Sequence, residues 1–221
     1  MSQLDTILLK TASRCNLDCS YCYVYQGEDT SWKLQPKRMS NETILAIISR
    51  LVEISNVQIQ GFAIVLHGGE PLLLGITKLR MLFSGLRTSL PSEKYPISIQ
   101  TNGILNLCSE YRVSVSVSLD GIKQANDIAR FDRKGKSSFD EVLKGIQMLA
   151  EHPDSDFLFA GTLSVIQPMV SAKSTYNFLR SLNTPSMDFL FQDGNHDRLP
   201  FGKSSFETTE YGEWLAEILS L

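Results

Sequence analysis

Three of the chain's four cysteines stand close together in Cys15-Asn16-Leu17-Asp18-Cys19-Ser20-Tyr21-Cys22. Thiolates are soft ligands, and soft ligands select zinc or iron-sulfur clusters. Three of them fill three corners of a four-cornered site and leave the fourth open. A cluster held in this way keeps one iron free for an exogenous ligand, unlike the usual four-cysteine electron carrier. Zinc is an alternative, but a closed zinc site wants a fourth Cys or His nearby, and neither occurs between Cys22 and His67. Unliganded thiols buried for packing are the other alternative. Cys108, alone in Leu107-Cys108-Ser109, reads as such a small buried hydrophobe.

A second chemical signal lies in two alternating runs. In Val113-Ser114-Val115-Ser116-Val117-Ser118-Leu119 the valines and Leu119 share one face of a strand and three serines share the other. Pro96-Ile97-Ser98-Ile99-Gln100-Thr101-Asn102 repeats the pattern, with Ser98, Gln100 and Asn102 together. Strands buried on both sides by ordinary packing are apolar on both faces, so a polar stripe points to a ligand-lined interior. Polar groups that satisfy one another, or face water, are the plainer alternative.

These residues need strands to hold them. Apolar, β-rich runs recur at Leu4 to Lys10, Phe62 to His67, Pro96 to Thr101, Val113 to Leu119, Phe159 to Ile166 and Met187 to Gln192. Helical patterns lie between most of them. Asn41 to Ile54 carries Ile44, Ile47, Ile48 and Leu51 on one face behind a Ser40 N-cap. Glu141 to Ala150 follows a capping box of Ser138 and Glu141, and a last helix spans roughly Glu207 to Leu219. Such alternation builds a parallel sheet with helical crossovers. Six units predict an open or partial (βα)6 barrel, with the cysteine loop directly after the first strand, on the face where such barrels place their active sites. Only Ile104 to Arg112 separate the third strand's end from the fourth strand, whereas parallel crossovers usually take a dozen or more residues. The helix after strand three is therefore expected to be abbreviated to a turn or two. Leu105, Leu107 and Cys108 should pack on the sheet's outer face, leaving Ile97, Ile99, Val115 and Val117 undercovered.

Composition narrows the class. Of 221 residues 43% are hydrophobic and 20% charged, as in globular proteins, and no repeat or linker divides the chain, so residues 1–221 are expected to form one domain. Twenty-four acids against 21 Lys and Arg give a net charge of −3, without the basic block that tracks nucleic acid. No apolar stretch approaches the roughly 18 residues of a membrane span. The start Met-Ser-Gln-Leu-Asp-Thr-Ile has no signal-peptide character, which predicts a cytoplasmic protein with reduced thiols.

The C-x3-C-x2-C loop, with Tyr21 before its last cysteine, resembles the signature of the radical S-adenosylmethionine (SAM) enzymes. Gly68-Gly69-Glu70-Pro71, after strand two, resembles that family's glycine-rich SAM-binding motif, and Gln100-Thr101-Asn102-Gly103 and Ser118-Leu119-Asp120-Gly121 match the ends of strands three and four. Within the family the chain is similar to peptide maturases of the SPASM type, above all the FxsB-like group that forms cyclophane cross-links between side chains. That match runs from Leu8 to about Gln192 and includes Ser13-Arg14-Cys15-Asn16-Leu17, Ser31-Trp32 and Asn126-Asp127. Anaerobic sulfatase-maturating enzymes look like more distant relatives. The cysteine-rich SPASM extension, with its auxiliary clusters, is expected to be absent.

The resemblance implies that Cys15, Cys19 and Cys22 hold one 4Fe-4S cluster whose open iron binds SAM. Reductive cleavage of SAM would give a 5′-deoxyadenosyl radical that abstracts hydrogen from a precursor peptide. By the same resemblance Gly68, Gly69 and Glu70 receive the methionyl end, and Glu70 accepts from its ammonium. Gln100, Asn102, Ser118 and Asp120 line the cofactor, Tyr21 stands near the adenine, and Arg130, with Arg133 as the alternative, pairs with the carboxylate. A flavodoxin- or ferredoxin-type protein would supply the electron. Nothing in the sequence sets the oligomeric state. A competing expectation is a degenerate partner that keeps the fold while assisting an active maturase or binding a leader peptide. Anaerobic reconstitution should yield one cluster per chain. Cys15→Ala, Cys19→Ala or Cys22→Ala should abolish its visible absorbance while Cys108→Ala retains it, and zinc bound in preference to iron would overturn the assignment.

Overall fold

The computed structural model describes residues 3–103, 107–194, 199–200, 203, 205 and 207–221. Six strands, β1 (Thr6–Ala12), β2 (Ala63–Gly68), β3 (Ile97–Thr101), β4 (Val113–Ser118), β5 (Phe159–Val165) and β6 (Met187–Leu190), join in chain order into one sheet. The pairs β1·β2, β2·β3 and β5·β6 are parallel. The helices are α1 (Asn41–Val57), α2 (Ile76–Ser89), α3 (Leu107–Glu110), α4 (Lys123–Asn126), α5 (Phe139–Ala150), α6 (Ser155–Leu158), α7 (Ala172–Ser181) and α8 (Glu210–Leu219). Among the described residues no helix is long and apolar enough to cross a membrane.

Packing divides the chain into two compact units. The first comprises Met1–Cys15, Ser31–Ser116 and Pro153–Phe159; the second comprises Asn16–Thr30, Val117–His152 and Ala160–Leu221. In the first, α1 begins where expected, with Ser40 Oγ accepting from the Thr43 N–H at 3.1 Å. Its Ile44 and Leu51 are buried, as are Leu79, Leu82, Phe83 and Leu86 of α2. Each such side chain contributes about 1.5–3 kcal/mol by leaving water.

The short crossover is as brief as its length demanded: α3 is one turn, with Leu107 and Cys108 buried, while Leu105 lies outside the described residues. Burial pushes the Cys108 thiol up to about 12, so it stays protonated. The undercovered flank is a correction, because Ile97, Ile99, Val115 and Val117 are each only 1% exposed. Neighbouring elements supply the missing cover. Phe83 of α2 packs its ring 6.1 Å from that of Tyr111, and the Arg87 guanidinium donates to the carbonyls of Tyr111, Arg112 and Tyr95 at 2.8, 2.9 and 2.8 Å. On the other side α6, an extra turn just before β5, brings Phe157 under the Arg112 guanidinium at 4.4 Å, and Ser109 Oγ donates to Asp154 at 2.6 Å.

In the second unit Ile166, Ala172, Tyr211 and Trp214 form a buried cluster with Phe189, Leu215 and Ile218 against it. The expected capping box at α5 does not form. Ser138 Oγ donates instead to the Arg130 carbonyl at 3.0 Å, and the Phe139 N–H is satisfied by Ser137 Oγ at 3.1 Å. The serine is drawn away because it also accepts from the buried Asn126 amide at 3.3 Å. Arg87→Ala should destabilise the protein by about 2–4 kcal/mol, since three carbonyls lose a charge-assisted donor at once. Arg87→Lys should restore only part of that, because a single ammonium cannot span them. Denaturant unfolding measures both.

Candidate functional site

The site residues fall into two groups, one in each unit. In the first unit the end of β1 is stitched to the loop after β2: the Gly69 N–H donates to the Ala12 carbonyl at 3.0 Å and the Glu70 N–H to the Arg14 carbonyl at 2.9 Å. Gly68 is required here. Its φ is +135°, and a Cβ would stand 2.5 Å from the Ala12 carbonyl oxygen. Glu70 is almost wholly buried, so it is not a solvated loop carboxylate. Its Oε1 accepts from the Leu72 N–H at 2.9 Å and the Thr101 hydroxyl at 2.7 Å, and its Oε2 from the Asn102 N–H at 2.9 Å. A carboxylate offers about four acceptor positions, so the fold occupies most of them. The same Asn102 extends its side-chain amide to Cys15, with Nδ2 3.6 Å from Sγ. Cys15, Glu70 and Asn102 are thus brought together. Gln100 and Ser118 are half-buried on the polar faces of β3 and β4.

In the second unit the cysteine loop is clasped by the segment after α4. The Asp18 N–H donates to the Phe131 carbonyl at 2.8 Å and the Ser20 N–H to the Ala129 carbonyl at 3.1 Å, while Leu17 bridges Asp132 antiparallel. The Cys22 N–H closes a turn onto the Cys19 carbonyl at 3.0 Å. Within this clasp Tyr21 is held between two opposite charges: its hydroxyl donates to Asp120 Oδ2 at 2.9 Å and accepts from Arg130 Nη1 at 2.9 Å. Asp120 takes two further donors, the Val165 N–H at 3.1 Å and Gln167 Nε2 at 3.4 Å, and Gln192 Nε2 in turn donates to Gln167 Oε1 at 3.1 Å. Tyr21, Asp120 and Arg130 therefore spend polar atoms on one another.

Burial pushes the Asp120 carboxyl up, against the pull of Arg130 and the Val165 N–H. Burial, then the neighbouring Asp120, raises the Tyr21 hydroxyl well above its usual value and keeps it a donor. Burial opposes the charge of Arg130, but Tyr21 and Asp120 raise it and keep it protonated. His67 is lowered by burial and then by Lys10, and so stays neutral near pH 7. Gln167 and Gln192 escaped sequence reasoning. Their signal was a polar residue at or just past the end of an apolar strand, on the face where barrels of βα units do chemistry.

Three soft thiols are the donor type that a cluster takes. The three thiols form no disulfide and are half-buried. Among the described residues no three Cys, His, Asp or Glu converge as a single metal ion requires; a cluster asks something different, a separate iron for each thiolate. Arg130 Nε is buried without a hydrogen-bond partner, an orphaned donor of the kind an anionic ligand satisfies.

Comparison with known proteins decides the family. The model of the radical SAM superfamily matches residues 9–164. The chain belongs to the radical SAM superfamily. Its cofactors are those of the family, a 4Fe-4S cluster and SAM. An uncharacterised protein of Synechocystis sp. is 30% identical over 164 residues, 67% of this chain and 38% of its own length. A serine-type anaerobic sulfatase-maturating enzyme of Klebsiella aerogenes is 30% identical over 146 residues, 62% of this chain and 35% of its own. A cysteine-type enzyme of Clostridium perfringens is 23% identical across 96% of this chain and 68% of its own. The chain thus spans little more than a third of the first two relatives. Among solved structures, anSMEcpe with bound AdoMet superposes with a TM-score of 0.80 at 21% identity, covering 99% of this chain and 60% of that one, and shares the partial-barrel fold. Streptococcus suis SuiB bound to S-adenosylmethionine gives a TM-score of 0.67 at 14% identity.

Tyr21→Phe removes the hydroxyl that joins the buried Asp120 to Arg130 Nη1. It should cost about 1–3 kcal/mol in denaturant unfolding, and a double-mutant cycle with Asp120→Asn should show coupling of about 0.5–3 kcal/mol.

Proposed function

We propose that this radical SAM protein is a peptide maturase that abstracts hydrogen from a ribosomally made peptide and leads it to a side-chain cross-link. The observation that carries the reading is Asn102, which donates through its backbone to Glu70 and through its side chain to Cys15. One residue thereby ties the first cysteine to the carboxylate suited to the amino acid end of SAM. A peptide as substrate draws support from anSMEcpe, which has been solved with a bound peptide, and from the sulfatase-maturating names of the curated relatives. The cross-link rests on the likeness to the cyclophane-forming maturases, carried by the Ser13–Leu17, Ser31-Trp32 and Asn126-Asp127 segments.

When bound, the cluster and SAM supply one-electron cleavage of the sulfonium bond and a carbon radical that takes a hydrogen atom from the substrate. The chain's residues hold and orient. Cys15, Cys19 and Cys22 would ligate three irons. Glu70, with Leu72, Thr101 and Asn102 fixing its orientation, would receive the SAM ammonium. Arg130, with Nη1 committed to Tyr21, would offer Nε to the SAM carboxylate. The serine and glutamine faces of β3 and β4 would line the polar interior.

With dithionite as reductant, the reconstituted protein should convert SAM to 5′-deoxyadenosine and methionine. Glu70→Gln should weaken SAM binding roughly ten- to a hundred-fold, as expected for loss of a charge-assisted hydrogen bond worth about 1.5–3 kcal/mol. Absence of 5′-deoxyadenosine from a protein with a full cluster would favour a non-catalytic partner of an active maturase. Unchanged SAM affinity in Glu70→Gln would remove that carboxylate from the SAM site.

A further inference from the structure

Charge is unevenly spread along a chain that carries more acids than bases. No acid occurs between Asp5 and Asp18, where Lys10 and Arg14 lie, and none between Asp29 and Glu42, where Lys33, Lys37 and Arg38 lie. The fold joins these two stretches. Arg38 bridges Ala12 antiparallel, the Ser13 N–H donates to the Lys37 carbonyl at 3.2 Å, and Ser13 Oγ donates to the Pro36 carbonyl at 2.7 Å. The Arg14 guanidinium completes the seam. It donates to the Trp32 carbonyl at 2.6 Å and the Lys33 carbonyl at 3.1 Å, and lies 5.0 Å from the centre of the Trp32 ring.

Five cations are thereby gathered on the segment that leads into Cys15 and on the segment bonded alongside it. Lys10, Lys33, Lys37 and Arg38 are exposed, and among the described residues none of the five takes part in a salt bridge. Glu42, which begins α1, has Lys78 of α2 as its own neighbouring cation. At the tip of the short turn Ser31–Lys33, Leu34 is 88% exposed, an apolar point among positive charges.

We propose that this basic strip is the docking surface for a small acidic protein that delivers one electron to the cysteine loop. The proposal rests on the reading above, which requires an outside reductant. Electron-transfer encounters have small interfaces, and complementary charge sets their rate more than buried area does. On a protein of net charge −3, five cations drawn together from two stretches that contain no acid make a locally positive surface that favours the approach of an acidic partner. The exposed turn Ser31–Lys33 brings its apolar tip, Leu34, among the charges, which suits the small apolar centre of a folded partner's contact. In the step itself the donor is oxidised by one electron and the cluster reduced by one, with no proton or group transferred.

Reduced flavodoxin serves as the probe, with binding to the cluster-loaded protein and bleaching of cluster absorbance as the readouts. The triple variant Lys33→Glu, Lys37→Glu, Arg38→Glu should weaken flavodoxin binding by about tenfold or more at low salt. The difference should shrink near 1 M salt, where the screening length is about 3 Å. Dithionite-driven SAM cleavage should be unchanged. A control with the same charge change elsewhere, Lys144→Glu, Lys173→Glu, Arg180→Glu, should bind flavodoxin within about twofold of the unaltered chain if local rather than net charge decides. Equal loss in both triple variants, no loss in the first, or a parallel fall in dithionite-driven cleavage would overturn the proposal. So would a raised KM for an acidic substrate peptide with flavodoxin binding intact. If the unaltered chain fails to cleave SAM with dithionite, the maturase reading falls, while the binding comparison still decides the surface.

Discussion

The second compact unit is organised around a single hydroxyl. Tyr21 stands between a buried carboxylate and a buried guanidinium that form no salt bridge with each other, so its O–H carries the connection in both directions. Each charge alone would be costly to remove from water, and low local dielectric makes the hydrogen bonds that compensate them correspondingly strong. Because Tyr21 lies between Cys19 and Cys22, fixing its ring also fixes the backbone that presents those two thiols. The other contacts to the network act through Asp120. The Val165 N–H and Gln167 aim the carboxylate, and Gln192 holds Gln167 in the flip that turns its nitrogen toward Asp120, since a carboxylate can only accept. Beyond Gln192 the chain reaches α8, where the Gln192 N–H meets the Tyr211 hydroxyl.

The first unit solves a similar problem with different parts. Glu70 is as buried as Asp120, yet it is stabilised mostly by neutral donors from its own loop and from the end of β3. The contrast follows from position. Glu70 caps the short turn Pro71–Leu74, so backbone N–H groups already point at it, whereas Asp120 follows a strand and must collect side chains from elsewhere. In both places a carboxylate that looks like a ligand-binding group also serves as a structural tie, so substituting it changes the shape of the site together with its chemistry.

Much of this was legible in the sequence. Strand positions followed from alternating and apolar runs, and the brevity of α3 followed from the number of residues available to cross back. The cysteines, Gly68-Gly69-Glu70 and Asn102 stood at strand ends where barrels of this type place chemistry. What the sequence hid was non-local. Nothing near Ile97 or Val115 revealed that Arg87, far along α2, would gather the carbonyls of Tyr111 and Arg112, or that α6 would slip Phe157 beneath Arg112. Ser138 and Glu141 had the spacing of a capping box, but that spacing cannot show a competing partner: the Arg130 carbonyl and the Asn126 amide claimed the serine. The pairing of Asp120 with Gln167 and Gln192 likewise depends on strand neighbours remote in sequence.

The two tryptophans divide evenly, with Trp32 in the first compact unit and Trp214 in the second. Their surroundings differ as well. Trp32 is half-buried beneath the cationic groups of Arg14 and Lys33, while Trp214 is buried against Phe189 with its indole N–H donating to the Val170 carbonyl at 2.9 Å. Intrinsic fluorescence therefore contains two separable colours of one molecule's unfolding. A pair of Trp→Phe variants reads each unit alone, and coincidence or separation of their transitions shows directly whether the chain melts as a single cooperative body.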